Sequence, residues 1–233
     1  MKILERVKMG SCNSCHTPME NRLKLCKNDG GGSVDATEFR SLIGCLCCLV
    51  NTRPDIAHAV GIVSRFMEAP SVQHWAAMKQ ILRYVSGTLE HGCCYKAGTG
   101  ELKLTEFSDS NLACDVDDRK STSGVVFFLG DSIITWTSQK QNIVALSSCE
   151  AEYTAAAAAA CQGVWLSRLI GDLMGKTPSK FRLLVDNKSA IALCKNPVFH
   201  DRSKHIDTRF HYIRECIDEG MITLVLMDNW QTS

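Results

Sequence analysis

The sequence lacks any long apolar run. Among its 233 residues there is no stretch of about 20 apolar residues, the length that crosses a bilayer. The first ten residues, MKILERVKMG, are interrupted by charges and do not form a secretory leader. With 45% hydrophobic and 22% charged residues, the composition is that of an ordinary globular protein. We therefore expect no membrane partner and a location in the cytoplasm or the nucleus.

Cofactor motifs are also missing, although cysteine is plentiful. Thirteen cysteines, an odd number, without an export signal indicate reduced thiols. The C-x-x-C-H spacing from Cys12 to His16 is typical of covalent haem attachment, but that chemistry needs export and a distal ligand, so no haem or zinc is assigned there. Cys45, Cys47 and Cys48 lie in an apolar helical stretch and are predicted to be small buried hydrophobes. The segments GGGS and GTG lack G-x-G-x-x-G after a strand, so a dinucleotide site is unsupported.

The first part of the chain is predicted to be helical. Three amphipathic patterns follow one another between about residues 35 and 88. The first begins after Asp35 as N-cap, the second begins with Pro54, and the third follows Ser71 and stops at Gly87. These patterns predict a small all-α helical region.

From about residue 95 the pattern changes to short strands. LKLTEFSD, VVFFLG and SIITWTSQ are rich in β-branched and aromatic residues and are separated by turn residues. An alanine-rich helix follows, and FRLLVD is then typical of a strand that a parallel sheet buries on both faces. Two further helices and the strand MITLVLM complete the chain. This order predicts an α/β fold with a mixed five-stranded sheet and flanking helices.

Two glutamates open the alanine-rich helix. If Ser147 is the N-cap, Glu150 is at N3 and its carboxylate can accept from the N–H of Ser147, forming a capping box. Glu152 lies about 200° around the helix and cannot share that task. It is predicted to point inward, because the residues on its face are small. These are Ala155, Ala156 and Ala159. The alternative is that both acids lie in a solvated first turn, where the helix dipole favours them.

Three acids occupy positions that predict a metal site. Asp109 ends the first strand and Asp186 ends the strand FRLLVD, so the two emerge side by side if these strands are parallel neighbours. A helix packed on that sheet would bring Glu152 to the same point. Bound divalent cations are the usual resolution of such carboxylate repulsion, and hard oxygen ligands suit Mg²⁺ or Mn²⁺. Two such ions can support phosphodiester hydrolysis. From spacing alone, this is one of several interpretations.

Several long motifs, in collinear order from about residue 3 to about residue 225, resemble copia-type retrotransposon polyproteins. They include TRPDIAHAVGIVSRFMEAP, FSDSNLACDVDDRKSTSGVVFFLG, ALSSCEAEYTA and VDNKSAIALCKNPVFHDRSKHIDTRFHYIRE. The resemblance implies a ribonuclease H domain at residues 96–233 and, at residues 1–95, a helical remnant of the reverse-transcriptase thumb and connection. It also implies two-metal, magnesium-dependent hydrolysis of the RNA strand of an RNA–DNA hybrid, with the remainder of the reverse transcriptase as a partner. Asp109, Glu152 and Asp186 take the places of the first-strand aspartate, the helix glutamate and the fourth-strand aspartate.

A basic segment also matches the family. HDRSKHIDTRFH offers cationic side chains that suit phosphate contacts beside an acidic centre, where they would fix the register of the hybrid. These predicted nucleic-acid-binding residues are Arg202, Lys204, His205, Arg209 and His211. The alternative is a solvated helix start without a ligand.

Departures from the family leave two hypotheses about activity. The family's domain continues into a helix with a fourth aspartate, whereas this chain reads LMDNWQTS with Asp228 as its only acid, so we expect a C-terminally truncated domain with three of four carboxylates. Leu112 and Cys114 stand where the family usually has Trp and Gly. No tyrosine is followed two residues on by Asp-Asp, so the polymerase motif is missing. The chain is then either a hybrid-cleaving nuclease or a catalytically inactive, decayed or co-opted module that binds nucleic acid or protein.

Overall fold

The structure, a computed structural model, describes most of the chain. The described residues are 2–7, 9–10, 12–21, 23–95, 102–195 and 207–227. The chain divides into two units, the first comprising Met1–Cys94 with Asp115–Arg119 and the second comprising Tyr95–Cys114 with Lys120–Ser233. Each unit has its own hydrophobic core.

The first unit is helical, as predicted. Its helices are α1 (Lys2–Arg6), α2 (Ala36–Val50), α3 (Ala57–Val63) and α4 (Val72–Gly87), with 3₁₀ turns at Pro54–Ile56 and Ser64–Phe66. Asp35 is the N-cap of α2, since its Oδ1 accepts from the N–H groups of Thr37 and Glu38. The core between these helices is aliphatic and aromatic. It includes Phe39, Leu42, Leu46, Val60, Met78 and Leu82.

The start of α4 is held by a buried capping box. Ser71 is the N-cap, and its N–H donates to Nδ1 of His74 at 2.9 Å while the Ser71 hydroxyl oxygen accepts from the N–H of His74. The His74 ring is fully buried, stacks on Phe66, and places Nε2 3.1 Å from the carbonyl oxygen of Cys26. Burial lowers the pKa of His74. The neutral ring therefore ties the segment before α2 to the start of α4.

The prediction for the cysteines of α2 is wrong. Cys45, Cys47 and Cys48 are exposed. The residues that α2 buries form a separate stripe. They are Phe39, Leu42, Ile43 and Leu46. Because only one face of this helix meets the core, apolar character alone did not indicate which residues it would bury.

The second unit is a mixed sheet covered by helices. Its strands are β1 (Leu104–Asn111), β2 (Thr122–Leu129), β3 (Ser132–Lys140), β4 (Phe181–Val185) and β5 (Ile222–Leu226), and its helices are α5 (Ser148–Met174), α6 (Lys188–Lys195) and α7 (Asp207–Asp218). The strand order is β3-β2-β1-β4-β5. The β1–β2 and β2–β3 pairs are antiparallel, and the β1–β4 and β4–β5 pairs are parallel. The predicted fold class, a five-stranded mixed sheet with flanking helices preceded by a helical region, is confirmed.

Helix α5 approaches the sheet closely because its inner face is made of small residues. Most of its alanines are buried, and a Cβ at Gly163 would lie only 2.4 Å from the ring of Phe181 on β4. The helix ends at Gly175, which adopts the left-handed conformation with φ 61°. In the part of the chain that the structure describes, neither α5 nor any other helix combines the length and apolarity needed to cross a membrane.

Candidate acidic site

Two of the predicted acids meet because their strands are parallel neighbours. Ser108 of β1 pairs with Val185 of β4. Asp109 and Asp186 are the next residues on each strand, so both emerge at the same edge of the sheet. Both side chains are exposed. The topology therefore builds the juxtaposition that the sequence predicted for parallel strands.

The third acid arrives from the first turns of α5. Oε1 of Glu152 accepts a hydrogen bond from the N–H of Ser110 at 3.0 Å, and the same N–H donates to Oδ1 of Asp109 at 2.7 Å. One ligand oxygen from each of Asp109, Glu152 and Asp186 lies within 4.8 Å of the other two. The structure thus brings the three predicted residues together, and one backbone N–H connects two of them.

The surroundings of Glu152 disfavour the charged form of its carboxyl group. Burial, followed by the nearby carboxylates of Asp186 and Asp109, raises the pKa of Glu152 to about 8. Its Oε2 is buried and has no hydrogen-bond partner among the described residues. Buried acceptors without partners are rare, and a cation bound between the carboxylates would satisfy this one. The donor set consists of hard oxygens, so the residues fit a divalent ion such as Mg²⁺.

Glu150 has a different role from Glu152. Ser147 is the N-cap of α5, and its Oγ accepts from the N–H of Glu150 at 3.2 Å. The Glu150 carboxylate accepts from the N–H of Leu146 at 2.8 Å, one residue before the N–H that the capping box predicted. Glu152 is buried, so the alternative of two solvated acids is wrong for that residue. The first acid stabilises the helix start and the second faces the aspartates.

The other predicted residues are less completely described. Arg202, Lys204 and His205 lie outside the described residues, and so does Asp228. Arg209 and His211 lie within α7, and their contact with phosphate stays a prediction. Sequence reasoning missed Ser110, because its contribution is a backbone N–H that any residue other than proline offers at that position.

The chain is similar to retrotransposon proteins over most of its length. No protein-family model matches it. It is 41% identical over 231 residues to the retrovirus-related Pol polyprotein from transposon TNT 1-94 of Nicotiana tabacum, a match that covers 96% of this chain and 17% of the relative. It is 38% identical over 225 residues to the retrovirus-related Pol polyprotein from transposon RE2 of Arabidopsis thaliana, covering 97% of this chain and 15% of the relative. The chain therefore spans less than a fifth of the length of either relative.

One solved structure shows a likeness of fold over most of the chain. A foamy viral protease–reverse transcriptase in complex with double-stranded DNA matches 87% of this chain and 33% of its own, with a TM-score of 0.52 and 12% identity. The N-terminal ribonuclease H domain of a Mycobacterium tuberculosis protein matches 55% of this chain and 85% of its own, with a TM-score of 0.38 and 12% identity.

Proposed function

Because the chain belongs to the family of copia-type retrotransposon Pol polyproteins, we propose that its second unit hydrolyses the RNA strand of an RNA–DNA hybrid. The observation that carries this proposal is the convergence of the carboxylates of Asp109, Glu152 and Asp186 at one edge of the sheet. The hybrid would be bound by residues 96–233, the ribonuclease H-like domain. Residues 1–95 would be a helical remnant of the reverse-transcriptase thumb and connection.

The chain's own residues explain how such a site would work. Asp109, Glu152 and Asp186 would hold Mg²⁺, or Mn²⁺ in its place. Bound as a pair, these ions would activate a water and stabilise the leaving oxygen of a phosphodiester. The N–H of Ser110 holds the Asp109 and Glu152 carboxylates together before any ligand arrives, which reduces the reorganisation that binding requires. The exposed side chains of Asp109 and Asp186 leave the centre open to a nucleic-acid strand.

Cleavage of a labelled RNA–DNA hybrid in the presence of Mg²⁺ tests the proposal. Asp109→Asn and Glu152→Gln should each reduce the rate by about 100-fold or more, since even residues that only support metal ligands cost about 10–100-fold when replaced. Glu150→Gln is the matched control: it makes the same charge change two residues from Glu152 and keeps an oxygen that can accept from Leu146. It should cleave at close to the unmodified rate. Absence of cleavage by the unmodified chain, or equal cleavage by all variants, would defeat the proposal.

A second function is favoured by the size of the acidic cluster. Among the described residues the cluster has three members, whereas the family resemblance implies four. Loss of one carboxylate would weaken one metal site. The alternative is therefore a catalytically inactive module of the same fold that binds nucleic acid or protein. Binding of the hybrid without cleavage, at Mg²⁺ or Mn²⁺ concentrations up to 10 mM or so, would favour this alternative.

A further inference from the structure

The second unit has a polar groove between its edge strand and its long helix. The groove lies where the end of β3 faces α5 and has a volume of about 290 Å³. Four of the ten residues described in its lining carry side-chain amides, namely Gln139, Gln141, Asn142 and Gln162, and Val125 and Ala158 add apolar surface. None of the metal-site acids Asp109, Glu152 and Asp186 is among the residues that line it, so the groove is separate from the acidic site.

The floor of the groove is fixed by hydrogen bonds. The side chain of Gln141 is buried, and its Nε2 donates to Oγ of Ser123 on β2 and to the carbonyl oxygen of Ala151 on α5, both at 2.9 Å. Its Oε1 is buried and accepts no hydrogen bond from the described residues. Gln141 thus joins the sheet to the residue directly before Glu152 and fixes the base of the groove, while its remaining acceptor is enclosed by protein.

The chemistry of the lining selects a class of ligand. Lys140 is the charged residue among those that line the groove, and no acidic or aromatic residue is described there. Amide groups offer donors and acceptors, while the hydroxyls of Ser123 and Thr137 add further hydrogen-bonding groups. Because no aromatic residue is described in the lining, the groove offers no stacking surface for bases, and its apolar surface at Val125 and Ala158 is interspersed with polar groups. It suits a chain of phosphates and sugars, which are the groups that most protein–nucleic acid hydrogen bonds contact.

The groove lies beside the acidic site. Ser110 pairs with Ser123 across β1 and β2, and Ser123 pairs with Gln139 across β2 and β3. Neighbouring strands are about 4.8 Å apart, so Gln139 lies about 10 Å from Ser110 across the sheet. The N–H of Ser110 is the one that donates to Asp109 and Glu152. This separation is about three base-pair steps of a duplex. One nucleic-acid strand can therefore span both places.

We propose that this groove binds the sugar–phosphate backbone of a nucleic-acid strand and so fixes its position relative to the acidic cluster. The statement that the bound strand is the one cleaved at the acidic cluster rests on the proposed function. Binding in the groove itself requires no hydrolysis. Gln139, Asn142 and Lys140 line the groove and carry donors suited to phosphate, and the amide oxygens of Gln139 and Asn142 can accept from sugar hydroxyls. Gln139 and Asn142 are exposed, so both are accessible to a strand.

Binding measured without metal tests the groove independently of cleavage. The full chain is titrated into a fluorescently labelled RNA–DNA hybrid in EDTA, and the anisotropy gives the Kd. Gln139→Glu and Asn142→Asp each keep the size of the side chain and place a negative charge in the groove. Each variant should weaken binding about tenfold, because like charges meet at the phosphate. Gln73→Glu, which makes the same change at an exposed position of α4, is the matched control and should leave the Kd unchanged. Thermal unfolding verifies that all three variants fold.

Three duplexes identify the groups that bind. Equal weakening with RNA–DNA, RNA–RNA and DNA–DNA duplexes supports recognition through phosphate, and weakening confined to the RNA-containing duplexes supports recognition through ribose hydroxyls. The groove proposal is overturned if neither variant weakens binding, if Gln73→Glu weakens it equally, or if the unmodified chain binds no duplex. A chain that binds through the groove and yet cleaves nothing would contradict only the proposed hydrolysis.

Discussion

At the scale of single residues, Glu106 has the least favourable surroundings. Its side chain is fully buried on β1, and both carboxyl oxygens have no hydrogen-bond partner among the described residues. A Cβ at Gly163 on α5 would lie 2.8 Å from its Oε2, so the helix packs directly over it. Burial raises the pKa of Glu106 well above its ordinary value of 4.5. The carboxyl group therefore holds its proton to a higher pH in the folded second unit than in the unfolded chain.

Replacement of Glu106 should stabilise the second unit, and more strongly at high pH. Because the folded pKa exceeds the unfolded one, the folded state holds an extra proton above about pH 4.5, and stability falls as the pH rises from there toward the folded pKa. Glu106→Gln removes the part of this dependence that Glu106 contributes, while Glu152 keeps its own. Glu106→Leu also removes the unpartnered oxygens and should add about 1–3 kcal/mol to the free energy of unfolding at neutral pH. Urea unfolding at pH 5 and pH 8.5 measures both effects.

Asp131→Asn is the control for these variants. Asp131 is exposed in the β2–β3 turn, so its replacement removes a charge without changing the core. Its unfolding free energy should change with pH as that of the unmodified chain does. If Glu106→Gln shows the same change of unfolding free energy with pH as the unmodified chain, burial does not raise the pKa of Glu106.

Single-residue environments were only partly predictable from the sequence. Strand alternation places Glu106 on the same side as Leu104 and Ser108, which are buried. Nothing in the sequence indicates that a glutamate would lie there without a partner, because acids are rarely buried unless they are paired. Whether a partner reaches it depends on side chains from β4 and α5, which are distant in the chain.

At the scale of elements, the start of α5 was predictable because its signals are local. Ser147 caps the helix, and alanine favours the helical conformation through the following turns. The partner of the Glu150 carboxylate was not predictable. It is the N–H of Leu146, whose position depends on the path of the chain between β3 and α5. A local sequence pattern therefore predicts the N-cap of a helix but not the conformation of the loop that precedes it.

The close packing of α5 makes Gly163 sensitive to the smallest substitution. In an exposed helix, Gly→Ala gains about 1 kcal/mol from helix propensity. Here the added Cβ would lie 2.4 Å from the Phe181 ring, so the helix or strand β4 must shift. Gly163→Ala should therefore lower the free energy of unfolding of the second unit by about 1–3 kcal/mol, as overpacked cores do. Denaturant unfolding followed by tryptophan fluorescence measures the change.

Cys161→Ala is the matched control for Gly163→Ala, because Cys161 is exposed on the same helix two residues away. It should change the unfolding free energy by no more than about 0.5 kcal/mol. A Gly163→Ala variant as stable as the unmodified chain would show that α5 can move away from β4 without cost.

At the scale of the whole molecule, the order of elements was predictable and their pairing was not. Turn residues and hydrophobic periodicity separate the helical region from the strands. The parallel pairing of β1 with β4 was assumed from where the acids lie, and the structure confirms it. The central position of β1 depends on pairing between segments about 75 residues apart, which no local pattern specifies. The acidic site depends on that pairing, so its residues could be named but not shown to meet.

Because the two units have separate cores, we expect metal binding to stabilise the second unit and not the first. The first core contains no residue of the acidic cluster, and the cluster belongs to the second unit. Carboxylates that converge only in the folded state bind Mg²⁺ only there, so Mg²⁺ at ten times its Kd should stabilise the second unit by about 1.4 kcal/mol. For a unit of this size the thermal midpoint should rise by about 4 °C, and calorimetry should show that EDTA reverses the shift.

Glu152→Gln should abolish this shift and raise the midpoint measured in EDTA. Burial and the two aspartates raise the pKa of Glu152 to about 8, so the unmodified unit must take up a proton at this position when it folds, and Gln removes that cost. Glu150→Gln should keep the shift, since the Glu150 carboxylate contacts the N–H of Leu146. Sodium chloride at matched ionic strength shows how much of the effect is general screening. An Mg²⁺ shift of equal size in Glu152→Gln, or one that appears in the first unit, would mean that the three carboxylates do not hold the ion. A shift confined to the second unit and lost with Glu152 would mean that they do, whether or not the chain cleaves a hybrid.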